Sequence, residues 1–121
     1  MSMKKLILLA VLAAQAAVPA QADELWCMPD QICIDDTCKP NSDTEASLRL
    51  HDRDAANPVM RAYAEDIAMT KTNAANPEQW NGVTSFGTAE TLRFTRADMR
   101  FTLLTYFEDN KVIATGLCEF Q

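Results

Sequence analysis

Basic residues and histidine are scarce in this chain, which has one histidine and 11 lysines and arginines against 17 aspartates and glutamates. That balance makes a field that repels phosphate polymers, so a nucleic-acid partner is excluded. No two cysteines are separated by two residues, the usual spacing of a thiol redox pair at a helix N-terminus. Cys118 stands far from the other three cysteines, which disfavours a four-cysteine zinc site. Asp52 and Asp54 lack the spaced oxygens and glycine of a calcium loop. His51 has no marked serine or cysteine partner and no nucleophile elbow near it, so a triad has no sequence support. Internal repeats, low-complexity tracts and linkers are absent too. The sequence therefore predicts a single domain that is not an enzyme, with no catalytic residue, cofactor or metal to name.

What is present first is a leader. Lys4 and Lys5 form a positive segment, Leu6 to Val18 an apolar one, and Ala20-Gln21-Ala22 a small-x-small cleavage site. The apolar run is shorter than the roughly 18 to 20 residues a membrane span needs. Lipid attachment at Cys27 would need small residues before it, and Glu24, Leu25 and Trp26 stand there instead. Residues 1–22 are thus expected to be a cleaved signal peptide, leaving a periplasmic or secreted protein with no membrane anchor. Residues 23–121 are expected to form one domain, taken as a monomer. Without the two leader lysines it carries 9 basic and 17 acidic residues, a net charge of −8. Acidity of this kind serves solubility, and it also suits a cationic partner.

An exported chain this small buries a modest core, and an even number of cysteines reads as a disulfide framework. Of three pairings, Cys33 with Cys38 and Cys27 with Cys118 are expected. The first closes a local loop and the second ties the two ends of the fold. In the chain-entropy account the long closure is worth on the order of 4 kcal/mol and the short one about 2.

From Asp23 to Pro40 the periodicity is weak, and disulfides more than packing are expected to order the segment, with a turn at Asp35-Asp36-Thr37. Asn41 to Thr44 reads as polar loop. Ala46, Leu48 and Leu50 alternate with Ser47, Arg49 and His51 as in a strand. Residues 58–70 fit either a short helix capped by Asn57 and Pro58 or a hairpin of Val59–Ala64 and Ile67–Thr72; the hairpin is preferred. Strands are expected at Val83–Phe86, Leu92–Thr95, Arg100–Phe107 and Lys111–Phe120, the last two joined at Glu108-Asp109-Asn110. Phe101, Leu103 and Phe107 would share a face with Val112, Ala114 and Cys118, and Leu104, Tyr106, Ile113 and Leu117 the other. Two apolar faces imply that something covers the second. The predicted fold is mainly β, a small antiparallel barrel or sandwich of meander topology with two disulfides.

Arg49, His51 and Arg53 are read as sharing a strand face, and Arg93, Arg96 and Arg100 as clustering at a later turn. Neutralisation of nearby carboxylates accounts for both groups; an anion site built on Arg49 and Arg93 is the sharper alternative. Trp26 and Trp80 are expected to anchor core or disulfide packing. Trp80 also follows the turn-rich Asn76-Pro77-Glu78-Gln79, where an exposed aromatic would serve binding. Arg49, His51, Arg93 and Trp80 thus form the candidate binding surface, for a protein or small-molecule partner whose identity the sequence does not give.

Trp26-Cys27, Cys33, Cys38 and Gly116-Leu117-Cys118 together resemble a group of small exported bacterial proteins with three early cysteines and a C-terminal Gly-x-Cys. That resemblance implies a β-rich fold and no activity. The chain is also similar to the small periplasmic inhibitors of C-type lysozyme, acidic barrels with a disulfide to the last strand. Their serine-glycine loop is matched only by Ser85-Phe86-Gly87, in which a phenylalanine is inserted. This likeness implies inhibition of a cationic enzyme as the alternative function.

Overall fold

Apolar side chains alternate along most of the chain, and a strand puts such a set on one face. A computed structural model describes residues 24–41 and 47–121; the leader, Ala46 and the loop residues 42–44 fall outside them. Among the described residues nine strands form: β1 (Leu25–Ile34), β2 (Thr37–Pro40), β3 (Leu48–His51), β4 (Val59–Ala62), β5 (Glu65–Ala75), β6 (Glu78–Val83), β7 (Ala89–Thr95), β8 (Arg100–Tyr106) and β9 (Lys111–Phe120). Antiparallel pairing runs without a break from β3 to β9, and β9 returns to β1, whose other edge takes β3. Eight strands therefore close a barrel. β2 folds back on the C-terminal half of β1 as an added hairpin.

An eight-stranded barrel has an interior that side chains can just fill. Here Trp80, Phe94, Phe101, Leu25, Leu50 and Met60 fill it, all buried. Phe94 meets Phe120 edge to face, with ring centroids 5.9 Å apart. Burial of each large side chain is worth about 1.5–3 kcal/mol, so the core, small as it is, contributes most of the driving force.

Both expected disulfides form, Cys27–Cys118 and Cys33–Cys38. Cys27 stands directly opposite Cys118 in the β1–β9 register, so the long disulfide lies on the seam that closes the barrel. Gly116 faces Pro29 on that seam, where β1 slips register between Pro29 and Gln31. A Cβ at Gly116 would run into the Met28 carbonyl oxygen and the Pro29 Cα, so only glycine lets the two backbones approach this closely. Two disulfides fit an oxidising compartment.

Residues 58–70 form the preferred hairpin, β4–β5, and not the alternative helix, because Met60, Ala62, Ile67 and Met69 alternate into the core. Three other expectations need correction. The segment after Asp23 is a ten-residue strand, held by pairing with β9 along its length rather than by disulfides alone. β6 spans Glu78–Val83, and residues 84–88 form a turn, so the strand expected at Val83–Phe86 is displaced. Phe107 lies beyond the end of β8 and is exposed. The outer face is largely left open: Tyr106 and Leu117 are exposed, and barrel closure alone buries the inner set.

Candidate functional site

Antiparallel strands bring alternate turns to opposite ends of a barrel, and the two ends of this one differ in chemistry. At one end the turn after β3 carries Asp52 in a left-handed conformation (φ 54°). That kink breaks the strand alternation and turns Arg53 into the barrel mouth, where it is only 6% exposed. Its guanidinium lies 4.8 Å from the Phe120 ring centre and near Asp54 and Glu78, at 3.7 and 3.8 Å. Its main-chain carbonyl accepts the Trp80 indole N–H at 3.0 Å. Lys71 bonds Asp54 at 2.6 Å and Glu78 at 3.3 Å, and Arg96 stands 3.7 Å from Glu78. The Lys71 hydrogen bond holds the Asp54 carboxyl below its usual range, against a smaller opposing effect of burial. The same bond raises the Lys71 ammonium. This is a plug of paired charges over the core.

The other end is built from the turns at residues 35–36, 63–64, 84–88 and 107–110. Of seven exposed large apolar side chains among the described residues, six sit there: Ile34, Tyr63, Val83, Phe86, Tyr106 and Phe107. Phe86 is 87% exposed at the tip of its turn, beside Gly87, whose positive φ of 83° glycine adopts freely. Phe86, Tyr106 and Phe107 line a shallow groove between the 84–88 and 107–110 turns, with Glu108 and Asp109 on its flank. The four turns carry four carboxylates, on Asp35, Asp36, Glu108 and Asp109, and no lysine, arginine or histidine. The turns are tied down: Ser85 N–H donates to Glu65 Oε2 at 2.9 Å, and Lys111 N–H to Asp35 Oδ1 at 3.1 Å.

Just inside this rim is a buried polar chain. Glu90 follows the inward period of Leu92 and Phe94 and is 1% exposed. The Thr105 hydroxyl donates to Glu90 Oε1 at 3.0 Å, so the Tyr63 hydroxyl, 3.1 Å from Thr105, is the donor of the next bond. Glu90 Oε2 is buried with no partner among the described residues, and an unmet buried acceptor costs about 1–3 kcal/mol. Burial raises the Glu90 carboxyl above its usual range, the Thr105 hydrogen bond and the nearby Tyr63 hydroxyl oppose this, and the charge of Glu65 adds to the rise. Desolvation of its hydroxyl, which sits on Thr105, also pushes the Tyr63 phenol up to about 12, although the side chain as a whole is exposed. Tyr63 and Ala64 both have positive φ, 56° and 59°, as a two-residue hairpin turn requires but as tyrosine rarely adopts. A cleft of about 610 Å³ opens beside Tyr63, lined within by Ile32, Leu48, Leu103, Val112 and Ala114. Its size lies within the roughly 300–1,000 Å³ of small-molecule sites.

The four candidate residues do not meet in one place. Trp80 is wholly buried in the core, not on a surface. Arg49 and His51 point outward together and share Glu24, at 3.7 and 3.3 Å. Arg53 leaves their face for the barrel mouth. Arg93 is on the outside of β7, bonded to Gln79 at 2.9 Å, Arg96 joins Glu78, and Arg100 reaches Asp30 at 3.3 Å. Arg49 faces Arg61, not Arg93, across β3 and β4. Sequence reasoning passed over Glu90 and Tyr63. The alternation Glu90-Leu92-Phe94 was the available signal for the first, and nothing local marks the second. Comparison with protein-family models, curated proteins and solved structures gave no match.

Proposed function

We propose that this chain is an exported, non-enzymatic binding protein of the periplasm that engages a basic protein surface through the Tyr63 end of its barrel. The carrying observation is the collection of six exposed large apolar side chains on one rim. Exposed apolar patches rimmed by polar groups mark interaction sites on soluble proteins, and aromatic side chains dominate interface energetics. The carboxylates of the four turns supply charge complementarity and steer a cationic partner on approach. The cleaved leader, the acidic mature chain and the disulfides support a periplasmic setting.

A photo-crosslinking residue placed at position 86 in the periplasm is expected to trap one discrete partner, and Phe107→Ser to abolish the trapping. Equal trapping from position 96, at the opposite end, would refute the proposal.

A second reading is inhibition of a cationic enzyme such as C-type lysozyme. It is favoured by the place of Ser85-Phe86-Gly87, which stands at the tip of the acidic rim where an inhibitory loop would need to be. It predicts saturable loss of lysozyme activity at stoichiometric protein, weakening with salt. Full lysozyme activity at tenfold excess removes it.

A further inference from the structure

Among the described residues, Glu90 is a buried carboxyl that meets no cation. Thr105 satisfies one oxygen, the other has no partner among those residues, and the neighbouring charge that acts on it is the carboxylate of Glu65. The charged and titratable groups around it come from three elements: Tyr63 at the β4–β5 turn, Glu65 on β5, and Glu90 itself on β7, with the Thr105 hydroxyl from β8. Buried polar groups are ordinarily hydrogen-bonded, and Glu90 Oε2 is a buried acceptor that no described residue meets.

The cleft reaches almost to this carboxyl. Thr105 stands opposite Glu90 on one side and opposite Val112 on the other, so the three make one inward-facing rung. Val112 lines the cleft, and Tyr63 both lines it and bonds Thr105. Tyr63 thus stands both on the cleft and on the hydroxyl that bonds Glu90. Its left-handed backbone is a strained setting for a tyrosine, and strain of this kind gathers at ligand clamps and switches.

We propose that the cleft and Glu90 form one site for a single-chain amphiphile with a primary ammonium head. The alkyl chain lies against Ile32, Leu48, Leu103 and Ala114. The ammonium donates to the free Oε2 of Glu90 once the Tyr63 ring has swung aside. The acidic rim draws a cation toward this end of the barrel. Arg49 and Arg61 also border the cleft, on its outer lip, each with a carboxylate partner, Glu24 at 3.7 Å and Asp66 at 3.3 Å. An anionic head would stop at that lip, so the two head groups give opposite results.

The test is calorimetric titration of the disulfide-intact protein at pH 7 with dodecylammonium and, separately, dodecanoate, both below their micellar concentrations. Dodecylammonium is expected to bind one to one and at least tenfold tighter than dodecanoate. Glu90→Gln, nearly the same shape, should weaken it at least tenfold, and Val112→Phe, which fills the cleft, should weaken both probes. Tyr63→Phe keeps the ring but frees it from Thr105 and should bind dodecylammonium as tightly as the parent or tighter. Absence of binding, equal or tighter binding of dodecanoate, or unchanged dodecylammonium affinity in either Glu90→Gln or Val112→Phe overturns the proposal.

Discussion

Removing the Cys27–Cys118 disulfide is expected to cost about twice as much stability as removing Cys33–Cys38. The two differ most in the chain they close, with sequence separations of 91 and 5. In the chain-entropy account these loops are worth about 4.6 and about 2 kcal/mol at 25 °C. Burial widens the gap, since Cys27 and Cys118 belong to the core while Cys38 is exposed. Against a total of about 5–15 kcal/mol, losing the long disulfide removes a third or more of the stability. The assay is urea unfolding of Cys27→Ala/Cys118→Ala and Cys33→Ala/Cys38→Ala, followed by far-ultraviolet circular dichroism and tryptophan fluorescence. With an m-value of about 1.5 kcal/mol/M, the midpoints should fall by about 3 M and about 1.3 M. Equal shifts, or a larger one for the short loop, would refute the reasoning, because closed length and burial both favour the long disulfide.

Ala64→Gly should stabilise the protein by about 1 kcal/mol, because glycine meets the positive φ of that turn without the penalty other residues bear there; thermal unfolding showing a loss instead would mean the turn is held differently. Gly116→Ala should destabilise by about 1–3 kcal/mol through overpacking against backbone that cannot swing away, and an unchanged unfolding temperature would count against the seam geometry. For Glu90 the folded state holds its proton to higher pH than the unfolded carboxyl, whose value is near 4.5. The folded state therefore binds more protons as pH rises above that value, and stability falls through the raised folded value. Glu90→Gln should be more stable than the parent at pH 8 and lose that advantage toward pH 4; a pH-independent difference between the two would show that Glu90 does not carry the effect.

Local pattern made much of the barrel legible. Leu48 and Leu50 alternate cleanly, the run from Arg100 to Phe120 reads as two strands joined at a polar tip, and the end-to-end disulfide implied a sheet that closes. β1 was hidden because Pro29 and Asp30 look like turn formers, whereas they sit at a register slip inside a strand whose partner lies at the far end of the chain. Its order comes from β9, and a local window cannot contain that. The Tyr63-Ala64 turn was hidden for the opposite reason. It uses neither asparagine nor glycine, so the hairpin was recognised with its tip two residues late. Arg49, His51 and Arg53 looked like one face until Asp52 reversed the alternation. The rim itself was illegible as a site, because its six apolar residues come from four separate stretches of sequence that only the barrel gathers.

A sheet whose first strand is bonded to its last cannot be completed by simple accretion. β3 to β9 can be laid down in turn, each on the edge of the one before, but closure must wait for a contact spanning almost the whole folded chain. Topologies rich in such distant contacts fold in milliseconds to seconds rather than microseconds. Throughout that wait the edges of β1 and β9 are unpaired and open to other chains. Cys27, meanwhile, is 6 and 11 residues from Cys33 and Cys38 and 91 from its native partner. Early oxidation therefore favours the wrong sulfur, and the yield of native protein depends on how quickly mispaired thiols are exchanged before Cys118 arrives.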